Sequence, residues 1–264
     1  MSWRAEAVAV WAFALRNLQM ASRNVFLIFE ILFWPVLGVL MIGLMTSFLR
    51  LTPESTAFLL IGQITMSTVH VCQLDVAYSV LYDVWSKSIK HGFLAPIGVH
   101  HLTLGSWLVG MLRGLVVFAL AAALGRWTFG FHPLQPGVLA LATFLAGCFL
   151  TAWVVSVSVC ALIMLLGARA ETAAWACVNF ILVLAGIYYP IDVLPGPVAA
   201  VAMAIPLTYF LDAYRAHFGF PSSFTAPVAT GFALSAAYAA LSHWALWAAV
   251  RHARRSGLLL KMSE

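Results

Sequence analysis

Residues 137–166 read GVLALATFLAGCFLTAWVVSVSVCALIMLL and hold no charged side chain. A bilayer core about 30 Å thick needs roughly 20 helical residues at about 1.5 Å each. The stretch is long enough to cross. It lacks the apolar/polar alternation of a closed barrel, and an open sheet edge is not satisfied in hydrocarbon. It therefore reads as a membrane-spanning helix.

Five further segments read the same way: 25–49, 57–82, 104–124, 172–189 and 226–250. Composition agrees. Of 264 residues, 63% are hydrophobic and 9% charged, against about 25% charged in a soluble domain. The mean hydropathy is +0.98. So few charges cannot clothe a water-soluble globule, and the expected fold is an all-α membrane protein of six spans.

Lys and Arg in the flanking loops set the expected orientation. With a cytoplasmic N-terminus, the inside holds Arg4, Arg16, Arg23, Lys87, Lys90, Arg169, Arg251, Arg254, Arg255 and Lys261. The outside holds only Arg50, Arg126 and Arg215, and Arg113 lies within a span. Both termini are expected inside. The +5 charge then reflects this bias and anionic lipid, and no nucleic-acid partner is required. No cleavable signal peptide is expected, because Arg4, Glu6, Arg16 and Arg23 make the leader too charged. Residues 1–24 instead suggest an amphipathic helix in the cytoplasmic interface. Val10, Trp11, Leu15 and Leu18 fall on one side of it and Arg16, Gln19 and Arg23 on another, with Arg4 misplaced on the apolar side.

Polar residues cluster in three places. In the cytoplasmic loop 83–103, Trp85, Ile89 and Phe93 recur every fourth residue, with Lys87, Lys90 and His91 facing elsewhere. This suggests a short amphipathic helix limited by Gly92 and Pro96, either floating in the interface or docking on a partner. In the external region 190–225, Pro190, Pro195, Pro197 and Pro206 chop an apolar backbone too short to cross alone. A broken, partly re-entrant helical pair is expected there, covered by protein or lining a cavity. Asp212 and Arg215, three residues apart, are placed to pair. Tyr188, Tyr189 and Tyr209 fit a headgroup belt or a stack on a sugar. Within spans stand Glu30, His70, Gln73, Asp75 and Arg113, costly there and so candidate pathway groups. Asp75 is the natural partner for Arg113.

No metal site is expected. Cys72, Cys148, Cys160 and Cys177 all fall in spans without zinc spacing and read as buried small hydrophobes. His100 and His101 are sequence neighbours, which do not share a helix face. No internal repeat or linker is visible, so 1–264 reads as one membrane domain.

In three ordered features the chain resembles the permease subunits of ABC-2 type exporters. One is the N-terminal helix leading into Phe33-Trp34-Pro35 and Gly43. The second is the cytoplasmic loop ending Leu94-Ala95-Pro96. The third is Tyr189-Pro190, Leu194-Pro195, Pro206-Leu207-Thr208-Tyr209, Asp212 and Arg215. The resemblance implies a multi-pass protein of a prokaryotic inner (plasma) membrane. A second permease copy, identical or homologous, would complete the pathway, and two separate ATPase subunits would bind beneath.

No G-x-x-x-x-G-K-[ST] loop occurs in this chain, so ATP and its Mg would sit in the partner ATPase, with no catalysis and no cofactor here. The resemblance places ATPase coupling on the loop helix (Trp85, Lys87, Ile89, Lys90, Phe93) and on the turn with Arg169 and Glu171. Two Lys and no Glu in that loop helix depart from many relatives. The external segment, with Tyr188, Tyr189, Pro190, Pro195, Pro206, Tyr209, Asp212 and Arg215, would form the outer gate. Cargo would be a lipid-linked saccharide or an amphipathic drug-like compound.

Two rival classes make different demands. A proton- or ion-coupled transporter would use Glu30, His70, Asp75 and Arg113 as a relay. A membrane enzyme would need convergent ligands, which scattered histidines do not supply.

Overall fold

The computed structural model describes residues 3–23, 25–88 and 98–256, without the side chains of 26–28, 30, 168, 169, 171, 173–175 and 177. Among these residues all regular structure is helical. In order come α1 (Trp3–Arg23), α2 (Val25–Phe48), α3 (Pro53–Trp85), α4 (Val99–Phe129), α5 (Val138–Leu166) and α6 (Glu171–Leu184). Then follow α7 (Gly196–Met203), α8 (Pro206–Ala216) and α9 (Pro227–Arg255). Short 3-10 turns at Gly167–Ala170 and Ile191–Val193 precede α6 and α7.

Helices α2, α3, α4, α5 and α9 are long and apolar enough to cross a membrane, and α7 with α8, bent by 90°, makes up to a sixth such unit. The broken helical pair expected from the prolines is present. The expected span 172–189 is shorter than read. Helix α6 has 14 residues, or about 21 Å. Its continuation is turned aside by Gly186 at φ 75° and then by Pro190.

Two other spans are longer than read, for local reasons. Pro53 opens α3, and the Thr52 hydroxyl accepts from the Ser55 amide at 3.3 Å, so that helix starts before residue 57. Helix α4 starts at Val99, behind Gly98, which removes residues 99–103 from the expected loop. At the other side of that loop α3 runs through Trp85. It stops where Ser86 caps the Tyr82 carbonyl at 2.6 Å and Lys87 takes φ 56°. The helix that carries Trp85 therefore ends at that residue, and residues 89–97, with Ile89 and Phe93 of the expected loop helix, lie outside the description.

Helix α3 is the axis of the bundle, with 72% of its apolar window buried, while α2 buries only 22% of its own. Small residues let the helices close on one another. At Gly110 of α4, an added Cβ would lie 2.8 Å from the Cys72 carbonyl of α3. At Gly105 it would lie 2.6 Å from the Val10 carbonyl of α1. Phe210 of α8 wedges between Gly147 of α5 and Gly231 of α9. Cys72, Cys148 and Cys160 are buried free thiols, as read from their positions.

The bend between α7 and α8 satisfies its own backbone. The Thr208 hydroxyl donates to the Ala202 carbonyl at 2.8 Å, and the Tyr209 hydroxyl to the Met203 carbonyl at 2.8 Å. Both acceptors are carbonyls at the end of α7, where the regular i+4 pairing stops; that of Ala202 also accepts from the Ile205 amide at 3.1 Å.

Candidate functional site

Between α2, α3 and α6 lies a cavity of about 340 Å³, walled mainly by apolar side chains such as Trp34, Pro35, Leu37, Met41 and Met66. Its polar groups are few: Gln63, Ser67, His70, Asn179 and Tyr188. Gln63, Ser67 and His70 stand at i, i+4 and i+7 of α3, so one helix face delivers all three. The Gln63 amide donates to Ser67 Oγ at 3.2 Å, and its carbonyl accepts the Tyr188 hydroxyl at 2.6 Å. Gly38 of α2 leaves the room that the Gln63 side chain occupies. The result is an apolar groove with a short polar track, suited to an amphipathic molecule rather than to an ion.

Of the residues read as pathway candidates whose side chains are described, His70 and Tyr188 reach this cavity. Asp75 and Arg113 pair with each other between α3 and α4, as expected from depth, and both are buried. The Glu30 side chain lies outside the description. Gln63, Ser67 and Asn179 were missed. The i, i+4, i+7 polar spacing on an otherwise apolar span was the available signal for the two on α3.

A second, smaller cavity of about 160 Å³ is lined by Tyr189, Pro190, Asp192, Asp212 and Arg215 among others. Here the expected Asp212–Arg215 pair is replaced. Asp212 accepts from the Ser223 amide at 3.0 Å and from the Ser222 hydroxyl at 2.5 Å. Arg215 donates to the Gly186 carbonyl at 2.7 Å, to the Phe58 carbonyl at 3.2 Å and to the Ile187 carbonyl. Its guanidinium carbon lies 3.5 Å from the Phe58 ring centroid. At 5% exposure, Arg215 holds the turn after α6 against the start of α3. Pro190 and Pro195 flank the 3-10 turn before α7, and Pro206 starts α8. Tyr189 bonds the Val183 carbonyl at 2.6 Å.

At the end of the bundle where α3 finishes and α4 begins, Trp85 packs on Tyr82 and Tyr78, with centroids 5.3 and 6.0 Å apart. Arg16 of α1 pairs with Asp83, one bond being 3.2 Å. Lys87 stands in the turn beyond. Ile89, Lys90 and Phe93 lie outside the described residues, as do the side chains of Arg169 and Glu171. On α1 the large residues Trp3, Trp11, Leu15 and Leu18 face away from the bundle, and Ala14, Asn17 and Ala21 face into it.

The histidine reading needs correction. His100 and His101 do not point apart. Their ring centroids are 4.0 Å apart, and both Nε2 atoms face Glu6 of α1, at 3.4 and 2.5 Å. The first turn of α4 tilts both rings to one side, towards α1. Hydrogen bonds from His101 and then His100 hold the Glu6 carboxyl below its usual range.

These features define a class: a helical, multi-pass membrane protein with a bent helical pair and an apolar cavity open between helices. The model of the ABC-2 type transporter family matches residues 8–218, and the chain belongs to that family. It is thus a membrane permease of an ABC-type transporter, a transport component rather than a catalyst. An uncharacterized protein of Archaeoglobus fulgidus is 40% identical over 48 residues, which are 18% of this chain and 75% of that protein.

Proposed function

We propose that this chain is the permease of an ATP-driven exporter for an amphipathic cargo, a lipid-linked saccharide or a drug-like compound. Two permease copies enclose the route, and two separate ATPase subunits drive it from the cytoplasmic side of a prokaryotic plasma membrane. The observation that carries this reading is the cavity beside α2. Its wall is apolar with one polar track, and the adjoining outer face of α2 is uncovered in the single chain.

Helix α3 supplies the coupling. Trp85, half-exposed at its end, sits 22 residues, or about 33 Å, from Gln63 in the cavity wall. A contact at Trp85 that differs between ATPase states would shift the cavity with it. Lys87, Arg169, Glu171 and the undescribed Ile89, Lys90 and Phe93 belong to the same docking region in this reading. The paired Asp75 and Arg113 cancel one another's charge, which leaves an ion relay without its central carrier.

Affinity capture of the tagged protein from its native membrane, with mass spectrometry of what is retained, tests the proposal. A nucleotide-binding ATPase near one-to-one, lost in the Trp85→Ala/Phe93→Ala variant while insertion persists, is the expected result. An intact permease that retains no ATPase, with transport that survives ATP depletion and collapses with the proton gradient, would overturn it.

A further inference from the structure

The contact between α1 and the first turn of α4 is more than a packing seam. Glu6, His100 and His101 each offer one ligand atom, and these atoms lie within 4.8 Å of one another. Two imidazoles and one carboxylate are a donor set for borderline divalent cations. With metal–ligand bonds of about 2.0–2.2 Å, neighbouring ligand atoms stand roughly 3–3.5 Å apart. Of the distances from Glu6 to the two Nε2 atoms, 3.4 Å falls in that range and 2.5 Å lies just below it. Small side-chain rotations reach it.

The buried ring, His101, is already held from behind. Its Nδ1 lies 2.9 Å from the Gly98 amide and 3.2 Å from the Gly98 carbonyl. With Nδ1 accepting from the amide, Nε2 carries the proton and donates to Glu6. With Nδ1 donating to the carbonyl, Nε2 presents a lone pair. The second arrangement is how a ligating histidine is commonly oriented. Both partners are in place, so the ring changes tautomer without moving far. His243 of α9 has its centroid 6.4 Å from that of His100, outside the group of three.

We propose that Glu6, His100 and His101 form a binding site for a divalent cation of the zinc class, which clamps α1 onto the start of α4. The site is independent of the cargo cavity. It joins α1 to the helix that opens directly after residues 89–97, and so sets the stiffness of that end of the bundle. Gly105 brings α1 close enough for the site to close, with its Cα facing the Val10–Ala14 backbone.

The test uses the full-length protein in lipid nanodiscs, with any affinity tag removed. Co²⁺ is titrated as a spectroscopic probe and then displaced by Zn²⁺. One Co²⁺ per chain with a visible ligand-field band is expected, and Zn²⁺ should abolish the band. Affinity should fall at least about tenfold in Glu6→Gln and in His100→Gln, and remain unchanged in His132→Gln, in the turn beyond the opposite end of α4. His101 is 2% exposed and its variant risks misfolding, so half-buried Glu6 and His100 carry the test. Absence of a stoichiometric site in the folded protein, or binding indifferent to Glu6→Gln and His100→Gln, would overturn the proposal and leave a hydrogen-bonded latch.

Discussion

Arg113 and Asp75 show what one charge inside a span demands. Each alone would be an uncompensated buried ion, and together they are neutral. Removing one partner of such a pair costs about 3–5 kcal/mol, while exchanging both for apolar groups is often close to neutral. Arg113→Met is therefore expected to lower the melting temperature of the detergent-solubilised protein markedly, and Asp75→Leu/Arg113→Met to recover most of the loss. Transport should return with the double variant. If the double variant is stable but transport-dead, the pair belongs to the pathway rather than to the packing. This partnership was legible in the sequence, because Asp75 and Arg113 were the deepest opposite charges available. The role of Arg215 was not. Spacing pointed to Asp212, whereas the actual acceptors are the carbonyls of Gly186, Ile187 and Phe58. Backbone carbonyls leave no mark in residue types.

At the scale of elements, the bend between α7 and α8 is the part most dependent on side chains. Pro206 forces a new helix start, and the Thr208 and Tyr209 hydroxyls then bond the Ala202 and Met203 carbonyls at the end of α7. Losing one such bond in a buried site costs about 1–3 kcal/mol. Thr208→Val and Tyr209→Phe are each expected to destabilise the protein by about that much without altering its insertion, as read by thermal unfolding in nanodiscs. Equal stability of both variants would show that the Ile205 amide suffices at Ala202 and that water or lipid headgroups serve the Met203 carbonyl. The prolines made the broken pair readable in advance. Its locking bonds follow only from the 90° turn, which brings position 208 back over 202.

Helix α1 offers a second element-scale outcome. A methyl at Gly105 meets the Val10 carbonyl at 2.6 Å and cannot be accommodated without displacing α1. Gly105→Ala should raise protease sensitivity around α1 while the spans stay inserted. The extension of α3 and α4 beyond their expected bounds had local causes that spacing alone conceals. Helix ends follow from capping groups such as Thr52 and Ser86, and apolar periodicity does not report them.

For the whole molecule, the unevenness of burial is the main fact. Helix α3 is enclosed, yet α2, the more apolar of the two, keeps Trp34, Leu37, Met41 and Leu44 exposed on the side of the cavity. Lipid alone would cover such a face, but the cavity would then lie open along its length to the bilayer. A second permease copy seated on α2 closes it and turns a groove into a route. That arrangement makes a positional prediction. In a Cys177→Ser background, with Cys72, Cys148 and Cys160 buried, Met41→Cys should form a disulfide-linked dimer on mild oxidation in native membranes. Trp247→Cys on the outward face of α9 should stay monomeric under the same conditions. Crosslinking from α9 but not from α2 would move the interface away from the cavity. The wall formed by Gln63 and Tyr188 would then face lipid, and the cargo route would have to be sought elsewhere in the bundle.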